Sequence, residues 1–275
     1  YESNITTWRE GPKKNNIQMK EINEVLKHGV KNGQSIDVII NTNHLPISTA
    51  TTYRYIENRY IEGIRNIDLK RKVKYATRTK AIPKPIPMNY DFLADRRFID
   101  FTQLLAANSY SNNVWEMDTV IGKITDEKCL LTLLHRTSNL QLIFLLKNKT
   151  MYEVNHVFTK IKKYLGDELF KDIFSIILTD NGAEFHDPLS LETSLITGEQ
   201  LIHIYFCEPR RSDQKGKCEK NHEHIRDIIS KGTSMDALSS KEIRYVSRMI
   251  NNYPRAQFNY HSPYEVISKM VNKKV

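Results

Sequence analysis

Apolar residues recur at helical spacing in the first part of the chain and in nearly unbroken runs in its middle. Over 17–31, Ile17, Ile22, Val25 and Leu26 lie near one face of an amphipathic helix, with Gly29 and Gly33 punctuating its end. Ser35 is placed to cap a short helix over 36–41, and a turn follows at 43–47. Ser48 then caps a third helix, from Thr49 to about Asn58. From Val114 the pattern changes. Runs at 114–121, 129–135 and 140–146 predict three strands, with turns at 122–128 and 135–139. An amphipathic helix is expected over about 150–165, where Val154, Val157, Phe158, Ile161 and Leu165 share a face. Buried strands are expected at 173–179 and 202–206, and a helix from about Gly216 to Ser230.

The order β-β-β-α-β-(α)-β-α predicts a ribonuclease-H-like α/β fold, a mixed sheet with flanking helices, preceded by an all-α domain. Helix, short helix, turn and polar-faced helix is the layout of a helix-turn-helix, although any small three-helix bundle gives a similar pattern. Its third helix carries Thr51, Thr52 and Arg54, the candidates for reading DNA bases. Residues 65–90 are rich in Lys and Arg and then in proline; Pro83, Pro85 and Pro87 deny a helix and favour an extended linker. The expected organisation is therefore a helix-turn-helix domain at 1–64, a basic linker at 65–111, an α/β core at 112–238 and a helical extension at 239–275. In that extension Ser239 and Glu242 form a capping box, Ile243, Val246 and Ile250 make one face, Pro254 ends the helix, and Pro263 opens a last short one.

Charge narrows the partner. Of the net +9, residues 1–90 carry +8, and residues 65–90 alone carry +7, eight basic residues against Asp68. A polyanion gripped by a basic strip fits this distribution, and a solvated charged linker is the plain alternative. Lys70, Arg71, Lys72 and Lys74 are the candidate phosphate contacts. No run approaches 18 uncharged apolar residues, which argues against a membrane span, and no secretory signal pattern opens the chain. Cys129, Cys207 and Cys218 are too few and scattered for a disulfide framework, so a reducing, cytoplasmic setting is expected. The first residue is Tyr1 rather than Met, and the chain is read as a fragment of a longer protein.

Three acids stand in settings where a charge is costly unless it is paired or binds a metal. Asp118 lies within the apolar run Val-Trp-Glu-Met-Asp-Thr-Val, on the same strand face as Glu116. Asp180 ends a strand beside Asn181-Gly182, and Glu219 shares a helical stripe with His222, Glu223 and Arg226. An Asp before Asn-Gly also serves as an ordinary turn residue, and a lone Glu on a helix is usually solvated. The conjunction carries the weight: the two aspartates fall on expected sheet neighbours, and the helix can bring Glu219 to their ends. Without a nearby Cys or His cluster, the set reads as a hard, oxygen-only site suited to two Mg²⁺ or Mn²⁺ ions.

At these residues the chain resembles the transposases of the IS30 family of bacterial insertion sequences, within the wider superfamily of DDE transposases and retroviral integrases. The matching stretches are 115–122 (Trp-Glu-Met-Asp-Thr-Val-Ile-Gly), 178–185 (Leu-Thr-Asp-Asn-Gly-Ala-Glu-Phe), 216–226, 231–236 and Asn251-Asn-Tyr-Pro-Arg255, with the basic segment 65–75. The resemblance implies that Asp118, Asp180 and Glu219 are the catalytic, metal-binding triad. It also implies that a further N-terminal DNA-binding region precedes Tyr1; Glu116, on the Asp118 strand face, and Asn181, beside Asp180, are the candidate supporting residues. Cys218 and Lys220 depart from the Asn-Glu-Asn common among relatives, while Glu219 is kept. His222 and Arg226, beside the triad, are candidate phosphate contacts, or else merely solvated. The implied activity is binding of terminal inverted repeats followed by metal-dependent cleavage and strand transfer on double-stranded DNA. A homodimer in the bacterial cytoplasm, associated with the nucleoid, is the implied form. A ribonuclease-H-like nuclease or integrase without transposition, and a silent DNA-binding regulator, remain as alternatives.

Overall fold

The computed structural model describes residues 11–12, 14–70, 91–107, 113–209 and 211–272. The described residues of 1–82 and 253–262 form one compact unit, and those of 83–252 and 263–275 form a second.

The first unit is built on α1 (Asn16–Lys31), α2 (Ile36–Thr42) and α3 (Thr49–Glu57). Each starts where a polar side chain takes up an orphan amide: Asn15 accepts from Gln18 N, Ser35 from Val38 N and Ser48 from Thr51 N. Ile22, Leu26, Ile39, Tyr55 and Ile56 make its core, joined by Ile61, Ile64 and Leu69. The helical unit thus continues past residue 64, because apolar residues beyond α3 fold back onto it.

The second unit contains α4 (Phe98–Ala107), β1 (Val114–Ile121), β2 (Cys129–His135), β3 (Gln141–Leu146), α5 (Met151–Phe174), β4 (Ile176–Thr179), α6 (Pro188–Glu192), β5 (His203–Phe206), α7 (Gly216–Ile228), α8 (Ser240–Asn252) and α9 (Pro263–Asn272). Its strands lie in the order β3-β2-β1-β4-β5. β2 is antiparallel to β1 and β3, whereas β1, β4 and β5 run parallel. This is the ribonuclease-H-like arrangement. Alternation along β1 sorts the core into two faces. Trp115 and Met117 join Leu131, Leu133, Phe158 and Phe174 on the α5 side. Val120 joins Leu130, Ile225, Met235 and Ile243 on the side of α7 and α8. Glu116 and Asp118 share the parity of Val120, so both acids lie on the α7 face.

Two expectations need correcting. Residues 173–175 are not strand: α5 runs to Phe174, and β4 begins at Ile176. Gly166, at φ 74° and ψ 165°, interrupts α5, and a second helical stretch follows that buries Phe170 and Phe174. The helical pattern therefore runs almost into the strand, with only Ser175 between Phe174 and Ile176 to mark the boundary. Nor is 91–107 linker. Leu93 is buried in the α5-side core, and Phe101 packs against Val114, Ile176, Leu178 and Tyr205. The spacing of Phe98, Phe101 and Leu105 was the helical signal, hidden beside the charged and Pro-rich stretch. Residues 71–90, with Arg71, Lys72 and Lys74, lie outside the described residues. Among the described residues no helix is long and apolar enough to cross a membrane.

Candidate active site

The parallel register pairs Glu116 with Leu178, and Thr179 Oγ1 donates to Met117 O one step further on. Another step brings Asp118 and Asp180 side by side at the ends of the paired segments. Asp118 Oδ1 accepts from Thr119 N, and its side chain keeps only 16% exposure. Asp180 Oδ1 accepts from Gly182 N, turning the chain away from β4, and its side chain is 51% exposed. The pair therefore forms a site closed on the Asp118 side and open on the Asp180 side.

Glycine at 182 leaves room for the Glu184 carboxylate, which a larger residue would have to push aside. A Cβ there would stand 2.6 Å from Glu184 Oε2. Glu184 itself is buried, accepts from Thr119 Oγ1 at 2.7 Å and pairs with Lys149 at 3.2 Å. The acidic turn is thereby tied to β1 just past Asp118. Asn181 ties it to the other side by donating from Nδ2 to Cys207 O at 2.7 Å.

Glu219 comes from the first turn of α7, whose placement is set by Glu116. That carboxylate has no exposed surface; it pairs with Arg136 Nε at 2.7 Å and accepts from Cys218 N at 2.7 Å. A negative charge at a helix N-terminus is favourable, because the first amides lack partners within the helix. The supporting residue thus fastens to β1 the helix that carries Glu219. Burial raises the Glu219 pKa above its ordinary value, and the charge of Asp118 adds to the rise while Lys215 opposes it.

Lys215 lies at the centre. Its side chain is only 6% exposed, and its Nζ stands 3.1 Å from Asp118 Oδ2, 3.4 Å from Asp180 Oδ2 and 3.2 Å from Met117 O. Burial works against the ammonium, but Asp118 and Asp180 outweigh it and hold its pKa above the usual lysine value. Sequence reasoning missed this residue. Lys215 lies in the 3₁₀ turn just ahead of α7, so no helical spacing marks it in the sequence.

His222 is not a solvated surface group. Its ring faces inward, with Nε2 3.0 Å from Thr132 Oγ1 and 3.4 Å from Cys218 Sγ, and Nδ1 3.9 Å from Asp118 Oδ2. Burial lowers its pKa; Lys215 and Arg226 push the same way, against Asp118. The carboxylate of Asp118, the thiol of Cys218 and the His222 ring offer ligand atoms within 4.8 Å of one another. The immediate surroundings are therefore not oxygen-only, as the sequence suggested, because α7 turns Cys218 and His222 toward β1. Burial pushes the Cys218 thiol far up, so it stands there as a neutral group. Arg226 is partly buried, and its Nη2 donates to Ile121 O at 2.8 Å, which commits one edge of the guanidinium to the end of β1.

The helical unit holds the remaining candidates. Thr52 is fully buried and donates to Ser48 O, so it cannot reach a base; helical spacing turns it toward the core. Thr51 is half-buried, with Oγ1 bonded to Ser48 Oγ, and Arg54 is exposed. Lys70 Nζ lies 4.4 Å over the Tyr253 ring within the same unit.

A ribonuclease-H-like sheet that converges two aspartates, faced by a glutamate on a crossing helix, defines a class of carboxylate-centred α/β cores. No family model matches the chain. By sequence, however, it is similar to insertion-sequence transposases. It is 29% identical over 160 residues to the transposase of IS4351 from Bacteroides fragilis, covering 58% of this chain and 45% of that one. It is 30% identical over 164 residues to the transposase InsI of IS30C from Escherichia coli strain K12, covering 60% and 40%. The chain thus spans less than half the length of these relatives. Among solved structures it is similar to the catalytic core domain of BIV integrase, at a TM-score of 0.41 and 15% identity, over 59% of this chain and 98% of that domain.

Proposed function

We propose that the chain is the helix-turn-helix and catalytic part of an IS30-type DDE transposase, which binds terminal inverted repeats and cleaves and joins DNA strands. The observation that carries this reading is the convergence of Asp118 and Asp180 on a single buried cation, with Glu219 presented from the adjoining helix. The transposase relatives support it independently.

The donor set fits divalent metal. Two carboxylates and the Met117 carbonyl already surround one positive charge with hard oxygen donors, the ligands Mg²⁺ and Mn²⁺ prefer. Asp118, Asp180 and Glu219 are the residues that would hold two such ions. When bound, the ions would supply activation of an attacking oxygen and charge relief at the leaving one. The chain's own residues do the rest. Glu116 and Arg136 fix the start of α7, Asn181 and Glu184 hold the Asp180 turn against β5 and β1, and Thr132 and Cys218 keep the His222 ring beside Asp118. Arg226 is assigned to the DNA backbone near the site; its Nη1 is covered and unpaired, so this contact requires the guanidinium to turn outward.

DNA recognition is assigned to the helical unit, with Arg54 and Thr51 facing the transposon end, and to Lys70, Arg71, Lys72 and Lys74 along the phosphates. The working form is a homodimer on two DNA ends, in the cytoplasm at the nucleoid. A Mg²⁺-dependent assay on a duplex carrying the DNA that flanks the gene tests the reading. Nicking followed by joining of the freed 3′-hydroxyl to a target is expected. Nicking without joining would make the protein a nuclease, and no metal-dependent cleavage would make it a regulator.

A further inference from the structure

An ammonium group has three N–H donors. Lys215 spends them on three oxygens, one each from Asp118, Asp180 and Met117, at 3.1–3.4 Å. Its side chain is nearly closed off from solvent while Asp180 is half open. Lys215 therefore sits on the floor of the acidic site and fills the space between the two aspartates. Two facing carboxylates repel strongly in a partly buried setting, and a lysine there removes that repulsion. A Mg²⁺ ion demands its oxygen ligands at about 2.0–2.1 Å, so it and the ammonium cannot hold the same carboxylate oxygens at once.

We infer that Lys215 is a built-in counter-cation: it occupies the cation position between Asp118 and Asp180 in the metal-free protein, and divalent metal enters by displacing it toward solvent. The inference rests on the metal-binding reading given above and adds to it a residue that sets metal affinity. Only the side chain has to move. Lys215 is the last residue of the short 3₁₀ turn Ser212–Lys215, directly before Gly216, and the Glu116 clasp on Cys218 N lies beyond it, so α7 can stay in place. The device suits a DNA-cutting site. Without metal the acids are neutralised and held together, and with metal the freed ammonium adds positive charge where a phosphate would approach.

Two measurements on the full 275-residue chain test this, with Mg²⁺ as the probe. In the first, lysines are labelled with an amine-acylating reagent and read by mass spectrometry, with and without saturating Mg²⁺. Acylation of Lys215 should rise several-fold with Mg²⁺, while the exposed lysines stay unchanged. In the second, calorimetric Mg²⁺ titration compares wild type with Lys215→Met, and Asp118→Asn identifies the heat belonging to this site. Because a neighbouring cation is lost, Lys215→Met should bind Mg²⁺ about tenfold more tightly. If wild type shows Asp118-dependent binding but Lys215 acylation does not rise, the inference is overturned and the metal site stands. Unchanged or weakened affinity in a folded Lys215→Met does the same. If no Asp118-dependent binding occurs in either protein, the metal-site reading falls and the inference falls with it. The labelling arm uses wild type alone, so it remains decisive if the variant does not fold.

Discussion

Glu116 shares its two oxygens between Arg136 and the first turn of α7. Replacing it by Ala would leave Arg136, itself mostly covered, without its partner and the Cys218 amide without an acceptor. Breaking a buried pair in this way costs about 3 kcal/mol, readable as a fall in the denaturant midpoint of the α/β unit. Glu219 behaves oppositely. Its pKa is raised in the folded chain, so between the ordinary Glu value and the raised one the folded state binds more protons than the unfolded state, and stability falls as pH rises. In metal-free buffer, Glu219→Gln, which mimics the protonated form, should match wild-type melting temperature near pH 4. It should gain on wild type as pH rises through that window toward neutrality. No such gain, measured by thermal melts at both pH values, would show that burial and the nearby Asp118 charge do not disfavour the Glu219 carboxylate. At this scale much of the site was legible. A carboxylate inside an apolar run is conspicuous, and parity along β1 put Glu116 with Asp118. Lys215, Glu184 and the inward turn of His222 were not legible, because they depend on which way α7 and the Asn-Gly turn rotate against the sheet. A lysine in a polar stretch looks solvated until its partners arrive from a distant strand.

Elements were read well where the period was clean and poorly where two elements abut. The three caps at Asn15, Ser35 and Ser48 form with local bonds only, and the latter two were predicted from sequence for that reason. β2, buried along its whole length between α5 and the α7–α8 layer, needs a nearly continuous apolar run and shows one, interrupted by Thr132 and ended by His135. The join of α5 and β4 has only Ser175 as a polar break, so its boundary was misplaced by three residues, and α4 was lost beside the basic strip. Gly166 marks where α5 is interrupted. At φ 74° and ψ 165° its backbone is in a region that side chains rarely adopt. Gly166→Ala should therefore cost roughly 1–3 kcal/mol, although space for the methyl is open. A thermal melt checks this, and an unchanged melting temperature would mean that the α5 interruption relaxes at no cost.

Across the whole molecule, charge and chemistry are separated. Residues 91–275 carry a net +1 and hold the acidic site, while 65–90 carry +7. Under the proposed function, the basic segment grips DNA and the sheet carries the reaction. Alanine at Lys70, Arg71, Lys72 or Lys74 should each lower the slope of log affinity against log salt by about one and leave sequence preference unchanged. Arg54→Ala should instead weaken binding to the terminal repeat selectively. Gel-shift titrations at several salt concentrations separate the two effects, and equal losses on all sequences for Arg54→Ala would remove α3 as the reader. The clustering of charge was visible in the sequence, because clustered lysines need no fold to be seen. Where the helical unit ends was not, since apolar residues 61–69 reveal their role only by folding back.

The central claim is that Asp118, Asp180 and Glu219 perform metal-dependent strand cleavage while other parts of the chain bind DNA. The most direct measurement sets wild type beside Glu219→Gln on a labelled duplex carrying the flanking DNA, with binding and Mg²⁺-dependent nicking recorded on the same samples. The account predicts binding that is largely intact and nicking reduced by roughly a thousandfold or more. A variant that binds and nicks at close to the wild-type rate would contradict it.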